Sequence, residues 1–129
     1  MKKLLSLCSL LALPLWAQAP AESEDVMLQA FYWDSQKETG WIELEALAPE
    51  IAPFFSVVWL PPSASAEGGG AVGGNNVGYH PRQWNNQTSC WGTAENLKKL
   101  IATLHEKGVK VLADIVINHR AGNTDWGNF

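Results

Sequence analysis

The chain has 129 residues, a net charge of −4 and a hydrophobic content of 47% that includes seven tryptophans. This composition is typical of a packed globular domain and excludes a long disordered chain. An acidic chain also lacks the basic stripe that binds phosphate backbones, so we expect no nucleic-acid partner.

Residues 1–19 are predicted to be a signal peptide. Two lysines precede an apolar run from Leu4 to Trp16, which is too short to span a bilayer. Small residues at positions 17, 19 and 21 leave the cleavage site open between positions 17 and 21. We therefore expect a secreted or periplasmic protein without a membrane anchor. Cys90 would be its one remaining cysteine, so we expect no internal disulfide.

Residues 20–129 alternate apolar runs with amphipathic segments. The runs cover residues 26–33, 54–60 and 109–117, and helices are predicted between them over 41–51 and 93–107. Short apolar runs are typical of strands that are buried on both faces. Alternating strands and helices form parallel βαβ units, so the sequence predicts an α/β fold. Three strands and two helices are too few to close a barrel, so we expect an incomplete domain.

The second helix has the clearest boundaries. Thr93 can cap its first turn, and Gly108 follows its last turn in the position that glycine favours. One apolar stripe runs along it, formed by Leu97, Leu100, Ile101 and Leu104. By contrast, Pro49 and Pro53 predict that the first helix is short or kinked.

A long loop is predicted between Pro61-Pro62 and Cys90. The proline pair ends the second strand because proline cannot donate to a strand ladder. Glycine clusters at 68–70 and 73–74 lack the Gly-Lys-Ser/Thr of a phosphate-binding loop, so we expect no nucleotide site. Loops of this length inside a compact domain are usually functional or disordered.

Polar residues at the carboxyl ends of the predicted strands are the candidate functional residues, since parallel α/β folds place their sites there. Asp114 interrupts the third apolar run, and a carboxylate in that setting is costly unless it is hydrogen-bonded or paired. Asn118 and His119 follow where the strand leaves the core. Because neighbouring strand residues point to opposite sides, one can face a ligand while the other faces a loop or a metal.

Four ordered segments resemble the α-amylase superfamily of glycoside hydrolases. Residues 113–120 resemble its first signature region, residues 28–33 its first barrel strand and residues 58–62 its second strand, while residues 77–81 are similar to its Gly-Tyr-x-Pro segment. The resemblance is closest to plant-type α-amylases. It implies that residues 20–129 are the N-terminal part of a catalytic (β/α)8 TIM barrel, truncated after its first three strands and two helices.

The resemblance also implies a role for each candidate residue. Asn118 matches a ligand of the structural calcium, and its side-chain oxygen suits a hard cation. His119 matches the histidine that binds the sugar at the cleavage subsite, and Tyr79 matches the aromatic residue that stacks on that sugar. Asp114 matches an acidic residue that supports the site. Taken singly, a packing tyrosine, a strand-end histidine and a turn-forming asparagine would explain three of these positions.

The function implied is retaining endo-hydrolysis of α-1,4-glucosidic bonds in starch or a related α-glucan, by a monomer. The family's catalytic carboxylates follow later strands, and neither Asp34 nor Asp125 matches them. We therefore expect this chain alone to be inactive. Two alternatives stay open: a transglycosylase or branching member of the superfamily, and a non-catalytic secreted glucan-binding protein whose Tyr79, Trp84 and Trp91 stack on sugars.

Overall fold

A computed structural model describes residues 22–67 and 77–121. Within them lie strands β1 (Met27–Gln29), β2 (Val57–Leu60), β3 (Ser65–Ala66), β4 (Pro81–Gln83) and β5 (Lys110–Ala113). The α-helices are α1 (Trp41–Ala46), α2 (Ala48–Ile51) and α3 (Ala94–Glu106), and a 3-10 turn, Ser35–Lys37, precedes α1. The predicted signal peptide, the glycine clusters and Asp125 lie outside the described residues.

The main sheet is parallel, in the order β1-β2-β5, with β2 at its centre. Residue Val57 pairs with Met27 on one side and with Lys110 on the other. Helices α1 and α2 connect β1 to β2, and α3 lies between β2 and β5 in the chain. The predicted α/β fold with parallel βαβ units is therefore confirmed. A small antiparallel pair, β3 with β4, stands apart from this sheet and was not predicted.

The observed strands are shorter than the apolar runs that predicted them. The ladder between β2 and β5 ends with the bond from Asp114 N to Leu60 O, at 3.1 Å. Pro61 and Pro62 come next, and neither has an N–H to continue the ladder. The third run is therefore apolar to Ile117 but forms a strand only to Ala113.

The core lies between one face of the sheet and the helices. Leu97, Leu100 and Leu104 of α3 are buried there, which confirms the predicted apolar stripe. Thr93 Oγ1 accepts a hydrogen bond from Asn96 N at 3.2 Å, so the predicted cap is also present. The first helix breaks at Leu47 into α1 and α2, as its prolines indicated.

The prediction that all the strands are buried on both faces is wrong for β1 and β5. Met27 is 49% exposed and Leu112 is 48% exposed, whereas Val58 of the central strand is fully buried. In the part of the chain that the structure describes, β1 and β5 each have a neighbour along one edge only. Leu28 of β1 and Val111 of β5 are partly buried against the core, and the other side chains of these two strands are exposed.

Cys90 is buried, and burial raises the pKa of its thiol to about 11. Among the described residues it is the one cysteine, and its thiol forms no disulfide bond. None of the described helices is both long and apolar enough to cross a membrane.

Candidate functional site

The candidate site lies where β2 and β5 end, beneath the segment that links the glycine-containing loop to β4. Gly78 has a φ of +98°, a conformation that side chains disfavour. A Cβ atom at Gly78 would also lie 2.4 Å from Pro62 O. The segment can approach the end of β2 this closely only because residue 78 is glycine, and this approach places Tyr79 over the end of β5.

Tyr79 is joined to the end of β5 through its hydroxyl group. Tyr79 Oη donates a hydrogen bond to Asp114 Oδ2 at 2.6 Å. Burial of the ring, followed by the hydrogen bond and the negative charge of Asp114, raises the pKa of Tyr79 to about 12. The phenol is therefore protonated at neutral pH. Asp114 is the carboxylate that interrupts an apolar run, and this bond supplies the partner that its setting requires.

His119 contacts the same tyrosine through the backbone. Its Nε2 lies 2.9 Å from Tyr79 O. A carbonyl oxygen can only accept, so Nε2 carries the proton and Nδ1 is the nitrogen left for another partner. The His80 ring packs edge to face against His119, with 6.1 Å between the centroids. Tyr79 is thus held at two points, its hydroxyl and its carbonyl, by residues of the segment that follows β5.

Trp84 forms a second link between the loop and β5, which the sequence did not predict. Its Nε1 donates to Val116 O at 2.9 Å, just past the point where the ladder ends. The Arg120 guanidinium lies 5.3 Å from the centre of the Trp84 ring, and Arg120 Nε donates to Arg82 O at 3.0 Å. These contacts join residues more than thirty positions apart, so no local pattern could have indicated them.

A cleft of about 260 Å³ opens beside this second link. Its polar part is formed by Asp114 together with Ser63 and Gln87, whose side chains are hydrogen-bonded at 2.6 Å. The rest of the lining is mostly apolar and comes from the strand ends and the loop, including Pro62, Trp84, Ile115 and Ile117. The strand end thus borders a concave surface in which one carboxylate lies among apolar groups.

Asn118 is exposed at the same strand end and has the donor chemistry for calcium. Calcium takes six to eight oxygen ligands. Among residues 22–67 and 77–121, no group of three His, Cys, Asp or Glu side chains could hold a metal ion. The Asn118 side-chain oxygen is thus chemically suited to bind calcium, but within the described residues no such group of three side chains accompanies it.

Trp91 cannot stack on a sugar, so that part of the glucan-binding alternative is wrong. It is 2% exposed, and it packs against Trp41 and Phe31 with ring centroids 5.8 and 6.3 Å apart. The Trp91 side chain is instead part of the hydrophobic core. Trp84 is partly buried, and Arg120 lies over its ring.

Asp34 makes none of the contacts described above for the candidate site. It precedes the 3-10 turn, and its carboxylate forms an exposed ion pair with Lys37 at 3.0 Å. Asp34 is thus a residue at the start of a turn. Of the four candidate residues, Tyr79, Asp114 and His119 form one connected group, and Asn118 lies beside it in the chain.

Comparisons with known proteins match the sequence of this chain to one family. The family model described as "Alpha amylase, catalytic domain" matches residues 54–128. The chain is 38% identical over 101 residues to chloroplastic alpha-amylase 3 of Arabidopsis thaliana, covering 77% of this chain and 11% of that protein. It is 35% identical over 104 residues to "Probable alpha-amylase 2" of the same plant, covering 80% of this chain and 24% of that protein.

Solved structures show the same fold. The trehalose-6-phosphate hydrolase of Bacillus licheniformis superimposes with a TM-score of 0.62 at 24% identity, over 79% of this chain and 18% of that chain. The structural neighbours are TIM-barrel glycoside hydrolases. The chain thus corresponds to a parallel α/β segment of such a barrel and spans less than a quarter of the length of the two plant relatives.

Proposed function

Because the chain belongs to the α-amylase family of catalytic domains, we propose that the complete protein hydrolyses internal α-1,4-glucosidic bonds in starch-type glucans with retention. The observation that carries the proposal is the connected group of Tyr79, Asp114 and His119 at the carboxyl end of β5. Barrels of this kind place their active sites at that end of the strands. The curated relatives named above are α-amylases, which supports the same substrate class.

Within that protein, this segment contributes sugar binding. The Tyr79 ring stacks on the glucosyl unit at the cleavage point. His119 Nδ1 accepts a hydrogen bond from a hydroxyl group of the same sugar. Asp114 supports the site from beneath. Retaining hydrolysis requires two carboxyl groups about 5 Å apart, one as nucleophile and one as acid/base. Asp114 bonds Tyr79 rather than a second carboxyl group, so the bond-breaking carboxylates belong to other parts of the complete domain.

We also propose that Asn118 is one ligand of a structural calcium ion. When bound, the ion would hold together the loops that follow the strands. Secretion through the predicted signal peptide would place the protein where polymeric starch is found. The complete protein is proposed to act as a monomer.

The test is a chimera. Residues 20–129 replace the aligned segment of Probable alpha-amylase 2, and release of reducing ends from soluble starch is measured for the chimera, the unmodified relative and the isolated chain. The chimera is expected to be active and the isolated chain inactive. In the chimera, Tyr79→Ala and His119→Ala should each lower kcat/KM by about 100-fold or more, since binding contacts at the reacting sugar act in the transition state. The exposed helix variant Lys98→Ala serves as the control.

A folded chimera that leaves starch intact would contradict the proposal. So would Tyr79→Ala and His119→Ala variants that match the activity of Lys98→Ala. Product analysis separates the alternatives: linear maltooligosaccharides indicate endo-hydrolysis, whereas new branch points or longer chains indicate transfer. Polarimetry on the first products reports whether the anomeric configuration is retained.

A further inference from the structure

His80 is an exposed residue at the edge of the candidate site. It stands at position x of the Gly-Tyr-x-Pro segment, for which the family resemblance implies no role. Its ring packs edge to face against the ring of His119, with 6.1 Å between the centroids and 79° between the planes. His119 is exposed as well. Two imidazole rings from distant parts of the chain therefore meet at the surface of the folded protein.

Hydrogen bonds on both sides of His80 hold the two histidines in this arrangement. His119 Nε2 lies 2.9 Å from Tyr79 O, in the peptide group that precedes His80. Ala121 N donates to Pro81 O at 2.8 Å, in the residue that follows His80. These bonds set the distance between the two backbone segments, so the meeting of the rings does not depend on side-chain packing alone.

His119 has the hydrogen-bond arrangement that is usual for a metal-binding histidine. Such a residue donates one ring N–H to a carbonyl or carboxylate group and binds the metal through its other nitrogen. Here Nε2 donates to Tyr79 O, so Nδ1 keeps its lone pair. An imidazole nitrogen suits zinc, copper and nickel, whereas calcium prefers oxygen ligands.

From this geometry we propose that His80 and His119 together bind one divalent transition-metal ion, such as zinc, with His119 contributing Nδ1. Two imidazoles on one ion, with Zn–N bonds of about 2.0–2.1 Å, have ring centres roughly 5–6.5 Å apart. The observed separation of 6.1 Å lies within this range. A turn of the exposed His80 ring, whose terminal torsion is broad, brings one of its nitrogens to the ion.

The remaining coordination positions are taken by water. In the described part of the chain, no group of three His, Cys, Asp or Glu side chains could hold a metal ion. Structural zinc sites have four protein ligands and catalytic sites have three. A site with two ligands binds more weakly than either kind, and its metal exchanges readily with the solvent.

The ion and the sugar compete for the same nitrogen atom. This consequence rests on the proposed function, in which His119 Nδ1 accepts a hydrogen bond from the sugar at the cleavage point. An ion bound to Nδ1 occupies that lone pair, so zinc should inhibit the complete enzyme in competition with glucan. The metal site itself does not depend on the proposed function and is testable without catalytic activity.

The experiment titrates the full chain with zinc chloride in isothermal titration calorimetry, where one ion per chain is expected. His80→Ala and His119→Ala should each weaken binding by at least about tenfold, because each removes one of the two ligands. The double variant should bind about as weakly as either single variant, since the loss of one ligand already ends chelation. The chain has three histidines, and the third, His105, is exposed on α3. His105→Ala is therefore the matched control and should leave the affinity unchanged.

Equal affinities of His80→Ala and His105→Ala would overturn the proposal. So would a stoichiometry of one ion for two chains, which indicates a bridge between copies. If His119→Ala fails to fold, His119→Gln takes its place, because it keeps an N–H donor for Tyr79 O and should show the same loss of affinity. Nitrogen-15 NMR of the histidine rings gives a second readout. Zinc should shift the signals of His80 and of His119 Nδ1 and leave those of His105 in place, and a shift confined to His105 rejects the site.

The chimera separates this proposal from the proposed function. Each variant is compared with its own zinc-free activity, and His80→Ala should raise the zinc concentration for half inhibition by about tenfold, in line with the loss of affinity. A folded but inactive chimera whose zinc binding requires His80 rejects starch hydrolysis and keeps the metal site. An active chimera whose zinc binding and zinc inhibition are the same with and without His80 rejects the metal site and keeps the function.

Discussion

Gly78 determines how closely the Tyr79 segment can approach the sheet. Gly78→Ala should destabilise the chain by about 2–4 kcal/mol, because the new Cβ would combine an unfavourable positive φ with a clash against the Pro62 carbonyl. Urea unfolding followed by tryptophan fluorescence measures the change.

Gly108 is the matched control for Gly78. It has a φ of +77°, but an added Cβ would meet nothing within 4 Å. Gly108→Ala should therefore cost only about 1 kcal/mol, the strain of the backbone alone. Equal losses for the two variants would mean that the contact with Pro62 does not matter.

At the residue scale, the sequence indicated candidate side chains for the site but not how they contact one another. Asp114 was singled out because a carboxylate is costly in an apolar run, and its bond to Tyr79 supplies the partner. That this partner is Tyr79 depends on a contact across 35 positions, which no local pattern encodes. The role of Trp84 was missed for the same reason, since its donor binds a backbone carbonyl.

At the scale of the elements, α3 is predicted to supply much of the packing energy. Leu100 is fully buried between the helices and the sheet. Leu100→Ala should lower the free energy of unfolding by about 2–5 kcal/mol through lost burial and a cavity. Lys98→Ala, on the exposed side of α3, should change it by less than about 0.5 kcal/mol in the same urea titration. A loss at Leu100 no larger than at Lys98 would show that the helix does not pack as described.

An ion pair links the approach to β1 with β5. Lys110 Nζ lies 2.9 Å from Asp25 Oδ2, and hydrogen bonds from Lys110 and then Ser56 lower the pKa of Asp25. A carboxyl group with a lowered folded-state pKa stabilises the fold at pH values above its unfolded pKa. That contribution is lost as the pH falls through the folded-state pKa. Asp25→Asn should therefore lower the urea midpoint at pH 7 and have no effect at pH 2.

Asp34→Asn is the control for the Asp25 variant. Its ion pair with Lys37 is also exposed but spans a single turn, so it links no separate elements. Asp34→Asn removes this ion pair and should leave the urea midpoint of unfolding unchanged at pH 7 and at pH 2. Added salt should reduce the effect of Asp25→Asn, because the pair lies at the surface. An effect of Asp25→Asn that persists unchanged at pH 2 would exclude the ionised pair as its cause.

The existence and order of the three strands and of the helices between them followed from apolar runs and helical spacing. The lengths of the strands did not follow from these patterns, because a strand ends where its neighbour has no further backbone groups to pair with. Here the ladder between β2 and β5 ends where Pro61 and Pro62 follow β2. The β3–β4 pair was missed because Ser65–Ala66 is too short to show an alternating pattern. We expected the strands to be buried on both faces because their sequences are apolar. Composition alone does not show whether a second layer covers the outer face of the sheet.

At the scale of the whole molecule, the outer face and edges of the sheet are apolar and exposed. Ile115 and Ile117 are 66% and 80% exposed beyond β5, and Trp33 is 71% exposed beyond β1. Exposed strand edges with apolar side chains promote association. The chain by itself should therefore form concentration-dependent oligomers in sedimentation velocity experiments.

Substitution should reduce this association only near the strand ends. Ile117→Lys places a charge beside β5 and should shift the chain toward monomer. Ile42→Lys changes a residue of α1 that is also exposed, at 59%, and should leave the distribution as it was. Equal effects of Ile117→Lys and Ile42→Lys would indicate non-specific hydrophobic association rather than association through the sheet.

The Pro61-Pro62 pair ends the ladder beside the cleft, and Pro62 belongs to the lining. Because neither residue can donate, the two strands stop sharing bonds after Leu60, and Asp114, directly after β5, is the last residue that the ladder holds. The following residues are then free to border a cavity and to accept a bond from Trp84. Moving the pair one position along the chain would change which residue ends the ladder. Two residues without an N–H thus determine which carboxylate stands at the floor of the site.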